Sequence, residues 1–290
     1  MRVKKSIDDL TIQDDYLFKK VMKNPEICSK MLERILHIKV GKITYHEEEK
    51  SLDMTLESKG VRLDVYVQDE GGTVFNIEMQ TTNYRSELKL RGRYYQGMID
   101  QDLMEKGELY NQLNPTYIIF ICPFDLFDRQ RHIYTFKNIC IEDPSLELGD
   151  KATKIFLNSK GTADDVDCEL KAFLDYVDGI VSNDAFVQKI HQEVHDIKNN
   201  EKWRREYMSI TANMWVMQQE AREEGLAKGM AEGLEKGMEK GMEKGMVESS
   251  KRIIGNMLKQ QLDCSQIAIL TGMPEKEVQA VVAELRTGKN

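Results

Sequence analysis

The spacing of apolar residues changes along this chain, and each change marks a different kind of element. Between Val61 and Thr82, in VRLDVYVQDEGGTVFNIEMQTT, two runs of apolar and polar alternation flank DEGG, the pattern of a β-hairpin. Leu63, Val65 and Val67 form one apolar row; Phe75, Ile77 and Met79 form the other. Strand side chains alternate faces, so burying both rows together pairs odd positions with odd positions. A three-residue loop, Glu70-Gly71-Gly72, satisfies that parity if a glycine takes positive φ. The same register sets Asp64 opposite Glu78 and puts Gln80 on their face, which this pattern assigns to the side away from the core.

Before the hairpin the period is helical. Asp14 or Asp15 can cap a helix bearing Leu17, Phe18, Val21 and Met22, and Pro25 opens a second over Glu26 to Leu36 with Ile27, Met31, Leu32 and Ile35 in a stripe. Ile43 to Tyr45 and Met54 to Glu57 read as a first strand and its approach, separated by a solvated HEEEK loop. After the hairpin, Thr81 to Tyr110 carries Arg85, Lys89, Arg91 and Arg93 interleaved with Tyr84, Tyr94 and Tyr95. On a helix these make overlapping basic and aromatic surfaces, suited either to nucleic acid or to packing on a sheet with the arginines paired to acids. Asn114-Pro115 ends that helix. YIIFIC, Tyr117 to Cys122, is apolar throughout, as a strand covered on both faces requires. His132 to Phe136 and Lys154 to Leu157 read as shorter strands.

From Ala163 the period is helical again. His191 and His195 stand four apart in HQEVH, but the glutamate is displaced by one position from the HExxH metal motif, and an exposed polar helix face is the simpler reading. Gly225, Gly229, Gly233, Gly237, Gly241 and Gly245 then recur every fourth residue, each followed by Leu or Met. Six glycines cost a helix roughly 5 kcal/mol relative to alanine, so this segment is either a helix supported by a close partner or a flexible charged linker. Its Glu and Lys residues exclude a membrane span. SQIAILTG and MPEKEVQAVVAEL form a helix, a glycine turn and a helix opened by Pro274, whose acidic second helix suits packing better than a DNA groove.

Composition narrows the setting. The 290 residues suit one sizeable domain with an appendage, hydrophobic residues make up 41% and charged residues 31%, and no apolar run reaches membrane length. Five scattered cysteines without a CxxC argue for reduced thiols, hence a cytoplasmic protein without structural zinc. The net charge of -8 means that a nucleic-acid surface must be a local basic patch.

Asp64 and Glu78, opposite each other at roughly 5 Å between Cβ atoms, repel unless a cation lies between them. Magnesium is held by one or two carboxylates and keeps positions open for a phosphate and a water. At these residues the chain resembles the PD-(D/E)XK nuclease core in a variant where glutamine stands at the lysine position. The ordered set Asp15-Tyr16-Leu17-Phe18-Lys19, Arg62-Leu63-Asp64-Val65, Ile77-Glu78-Met79-Gln80, Arg93-Tyr94-Tyr95 and Tyr117-Ile118-Ile119-Phe120-Ile121, spread over residues 11 to 160, is similar to the Rpn family, recombination-promoting nucleases also described as PD-(D/E)XK family putative transposases.

The resemblance implies an α/β restriction-endonuclease-like core, a mixed sheet flanked by helices, with a helical C-terminal extension. It implies metal-dependent DNA cleavage in a recombination or mobile-element setting, with Asp64, Glu78 and Gln80 catalytic, the first two holding Mg²⁺ or Mn²⁺, and Asp15 accessory unless it is only a helix cap. The expected organisation is a core over residues 1–160, a helical region over 161–224, the repeat over 225–248 and a helix-turn-helix-like tail over 249–290, with homo-oligomers forming through the C-terminal region. Gln80 cannot carry the charge of a lysine, although it can orient a water. Two other readings therefore stay open: a DNA-binding or assembly protein that keeps the nuclease fold, and an oligomeric scaffold built on the glycine repeat.

Overall fold

The structure, a computed structural model, describes residues 5–45, 51–52, 61–82 and 85–288. The HEEEK loop, the Met54 to Glu57 segment and Tyr84 lie outside the described residues.

Two compact units divide the chain, residues 1–211 and 212–290. In the first, α1 (Asp15–Met22) and α2 (Pro25–Leu36) lead into a six-stranded mixed sheet. Its strands are β1 (Ile43–Tyr45), β4 (Val65–Asp69), β5 (Val74–Met79), β6 (Thr116–Cys122), β8 (Ala152–Asn158) and β7 (Ile133–Phe136), in that spatial order. β5, β6 and β8 run parallel, while β1, β4 and β7 are antiparallel to their neighbours. A separate two-stranded ladder pairs β2 (Ser51–Leu52) with β3 (Val61–Arg62). Helix α3 (Arg85–Leu103) follows β5, and α4 (Cys168–Val177) and α5 (Ala185–Asn199) follow β8.

The hairpin parity is as the alternation requires: Val65 pairs with Ile77 and Val67 with Phe75. The loop is Glu70-Gly71-Gly72, closed by the Asp69 N–H donating to the Thr73 carbonyl at 3.0 Å, with Gly72 at φ 84°. Odd positions of the sheet, Val65, Val67, Phe75, Ile77, Met79, Ile119 and Ile121, join one core with residues of α1, α2, α4 and α5, including Phe18, Met31, Phe173 and Ile190. Helices α4 and α5 thus belong to the first unit's core, which carries that unit beyond residue 160. Arg34, almost fully buried in α2, ties this layer together through Asp184 at 2.9 Å and the Glu169 carbonyl at 2.7 Å.

Two expectations about the hairpin are corrected. Leu63 does not share the row of Val65 and Val67. The chain leaves the strand at Leu63-Asp64, between β3 and β4, and Leu63 joins Tyr66, Val74, Leu88 and Phe120 in a second core. The face carrying Asp64 and Glu78 is also not open to solvent, because residues of α3 cover it and leave Glu78 only 2% exposed.

Helix α6 (Glu201–Lys259) runs unbroken through the glycine repeat, so the repeat is helical rather than a coil linker. A Cβ built on any of the six repeat glycines would meet nothing within 4 Å, and Leu226, Met230, Leu234, Met238, Met242 and Met246 are exposed. In the second unit α7 (Cys264–Thr271), a left-handed Gly272 and α8 (Glu275–Thr287) enclose a small core of Ile254, Ile267, Val278 and Val282. Among the described residues no helix is long and apolar enough to cross a membrane.

Candidate active site

Three elements of the first unit bring polar side chains together where β4 and β5 meet. Asp64 sits at the break before β4, Glu78 is the penultimate residue of β5, and Gln80 follows that strand, its N–H donating to the Ile121 carbonyl at 2.9 Å. The two carboxylates brace each other's backbone. The Asp64 N–H donates to Glu78 Oε1 at 3.2 Å, and the Met79 N–H donates to Asp64 Oδ2 at 3.3 Å.

Among the described residues two cations close the cluster. From α1, Lys19 Nζ lies 3.0 Å from Asp64 Oδ1 and 3.1 Å from Asp15 Oδ1. From α3, Arg91 Nη1 donates to Gln80 Oε1 at 2.7 Å, its Nη2 lies 3.5 Å from Glu78 Oε2, and its Nε donates to the Tyr95 hydroxyl at 3.1 Å. Gln80 Nε2 donates to the Thr82 carbonyl at 3.0 Å.

Burial dominates the electrostatics. It pushes the Asp64 carboxyl above the usual carboxylate range, the charge of Asp15 adds to this, and Lys19 only partly opposes it. Burial likewise raises Glu78, reinforced by the charge of Asp64 and opposed by Arg91. Two carboxyls held this way are short of positive charge even with both cations present.

The hard oxygens of Asp64 and Glu78 fit a divalent cation of the magnesium kind, which needs only one or two carboxylates and otherwise keeps water. Among the described residues no group of three or more His, Cys, Asp or Glu side chains is placed to hold a metal ion, so a cation here rests on this pair. The HQEVH histidines, His191 and His195, are exposed on α5, as a polar helix face requires.

Residues 12–174, more than half of the chain, match the pattern of the PD-(D/E)XK nuclease family transposases. The chain belongs to that family. The match spans α1 through most of α4 and contains every residue of the cluster. Its mixed sheet between helical layers is the PD-(D/E)XK architecture, and membership makes this a nuclease-like domain of the mobile-element type, a class whose partner is DNA and which generally uses divalent metals. No curated protein and no solved structure matches the chain.

The structure rearranges several sequence assignments. Asp15 is not the cap of α1: Asp14 holds the N-cap position and accepts from the Thr11 N–H at 2.7 Å, while Asp15, 64% exposed, pairs with Lys19. Tyr95 is buried against Phe120, at 6.2 Å between ring centroids, and offers no face to a nucleobase. Arg91 belongs to the carboxylate cluster rather than to an outer basic surface. Lys89, Arg93 and Tyr94 remain exposed on α3, with Lys89 Nζ 4.7 Å from the Phe127 ring centroid. Arg85 opens α3, and its side chain lies outside the described ones. Sequence reasoning gave Lys19 no role. The signal present was its spacing of one helical turn from Asp15.

Proposed function

We propose that this transposase-family chain is a metal-dependent DNA endonuclease that hydrolyses phosphodiester bonds. The observation that carries the reading is the buried carboxylate pair Asp64 and Glu78 at the end of a central strand, each pushed toward its neutral form by burial and by negative neighbours. A fold that keeps two such groups together has a use for a divalent cation there, Mg²⁺ or Mn²⁺, whose charge would draw electron density from a phosphate oxygen.

The protein's own groups do the positioning. Asp64 and Glu78 would hold the cation. Gln80 is held at both ends of its amide by Arg91 and the Thr82 carbonyl, yet keeps one lone pair and one N–H with which to orient the attacking water. Lys89 and Arg93, one turn apart on α3, contact the DNA backbone, with Arg85 heading the same helix and Tyr94 beside them. The repeat at 225–248 and the tail at 249–290 serve assembly of copies. The five free cysteines stay reduced in the cytoplasm, where we place the reaction.

The competing reading, a protein that binds DNA without cutting it, is favoured by glutamine at the lysine position. A plasmid nicking assay with Mg²⁺, Mn²⁺ or chelator separates the two. Metal-dependent nicking that disappears in Asp64→Asn and Glu78→Gln supports the endonuclease. Plasmid retardation without nicking in either metal supports the noncatalytic protein.

A further inference from the structure

We infer that Lys19, on α1, is the catalytic cation that Gln80 cannot be: its ammonium contacts the scissile phosphate and stabilises the charge that builds there during cleavage. The inference rests on the endonuclease reading of the same site. Gln80 occupies the lysine position but is neutral, so phosphoryl transfer at this site needs positive charge from elsewhere in the chain.

Among the described residues two cations reach the carboxylates, and their surroundings differ. Arg91 is fixed by the Tyr95 hydroxyl, by Gln80 Oε1 and by Glu78, and it packs over the Tyr95 ring at 5.2 Å. A guanidinium held in this way orients Gln80 and is not free to follow a substrate. Lys19 and Asp64 line one open cavity of about 340 Å³ together with Lys23 and Tyr45, a volume sufficient for a phosphate beside their pair. Its side chain is only 12% exposed, and a lysine buried this far persists when it is paired.

The pairing has two anchors of unequal kind. Asp64 is one of the two carboxylates that would hold a divalent cation, whereas Asp15 lies one turn back from Lys19 on the same helix. When Asp64 is given to a metal, Asp15 still holds Lys19 at the site, and the ammonium keeps hydrogen-bond donors for a phosphate oxygen. This gives Asp15 a concrete part as a positioning residue.

The chemistry balances without a further reactant. The water oxygen forms a new bond to phosphorus, and the bond from phosphorus to the leaving sugar oxygen breaks with its electron pair on that oxygen. The proton lost by the water is matched by one gained at the leaving oxygen through solvent. Lys19 stays protonated throughout, lowering the energy of the extra negative charge on the non-bridging oxygens.

The test is single-turnover nicking by the full chain at saturating Mg²⁺, where the metal itself neutralises Asp64 and a lysine that only balances that charge is dispensable. Lys19→Met is expected to lose about 100-fold or more in rate, in the range for removing one group that stabilises transition-state charge. Lys19→Arg should retain part of the rate, and Gln80→Lys combined with Lys19→Met should recover it by restoring the charge from the position that follows β5. Independently of activity, the rise in melting temperature on adding Mg²⁺ should be retained or larger in Lys19→Met, because no cation competes for Asp64.

If wild type nicks and Lys19→Met nicks within about threefold of it, Lys19 is structural and the endonuclease reading stands alone. Loss of the Mg²⁺-induced stabilisation in Lys19→Met overturns the assignment in the same way. A wild type that nicks with neither Mg²⁺ nor Mn²⁺ overturns both. Should Lys19→Met fail to fold, Lys19→Gln and the double variant carry the same comparison.

Discussion

Replacing Glu78 with glutamine should remove the pH dependence that this one group imposes on stability in the metal-free protein. Glu78 lies within a covered sheet, accepts from the Asp64 N–H and faces Arg91 at 3.5 Å, yet burial and the charge of Asp64 hold its carboxyl above the ordinary value of 4.5. A carboxyl raised on folding contributes stability that is fully present below its unfolded value and is lost as pH rises through its folded value. For one proton the loss approaches about 1.4 kcal/mol per pH unit, so two units above that starting point remove about 3 kcal/mol. Glutamine resembles the protonated acid, with one accepting and one donating end, but cannot ionise. Glu78→Gln should therefore match wild type near pH 4 and exceed it at pH 7 to 8. Urea denaturation in chelator from pH 4 to 8 gives the difference between the two proteins, in which the titration of other groups largely cancels. A difference that does not change with pH, or a variant several kcal/mol less stable at pH 8, would refute the argument and make Glu78 a structural ion-pair partner.

Other outcomes follow from the same geometry. Phe75, fully buried and stacked on Tyr117 at 5.5 Å, should cost about 3–5 kcal/mol when replaced by alanine, read as a lower urea midpoint with the slope unchanged. Lys89→Ala and Arg93→Ala should each weaken duplex binding and lower the log–log salt slope by about one, measured by fluorescence anisotropy across a salt series; an unchanged slope removes α3 from the DNA surface. Truncation before Gly225 should lower the solution mass by light scattering from that of an oligomer to that of a monomer, and an unchanged mass would remove the repeat from assembly.

What could be read in advance followed the range of the interaction. The pairing of Val65 with Ile77 was legible because period-two alternation and a three-residue glycine loop fix it locally. The burial of Glu78 was missed because its own strand alternates like a half-exposed one. The neighbouring strand held the signal: Tyr117 to Cys122 is apolar on both faces, so the sheet lies between two layers and β5 beside it does too. Lys19 carried one local signal, its spacing of a helical turn from Asp15, but its other partner, Asp64, is 45 positions away and nothing in the spacing joins those two. For Tyr95 the pattern left two readings open, a stacking surface for nucleic acid or packing on the sheet, and the second holds: its ring completes the core against Phe120 and its hydroxyl serves Arg91.

The hairpin loop limits how this chain can change in length. Asp64 and Glu78 meet only because the chain between them turns through three residues, Glu70-Gly71-Gly72, and that number sets which side of the sheet each later residue faces. Gain or loss of a single residue in the loop would leave both carboxylates in the sequence and send one of them into the opposite layer among Phe18 and Phe173. Changes of two residues would preserve the pairing. Length variation here should thus be tolerated in even steps and refused in odd ones, so the loop works as a counting rule for the site although it contributes no side chain to it.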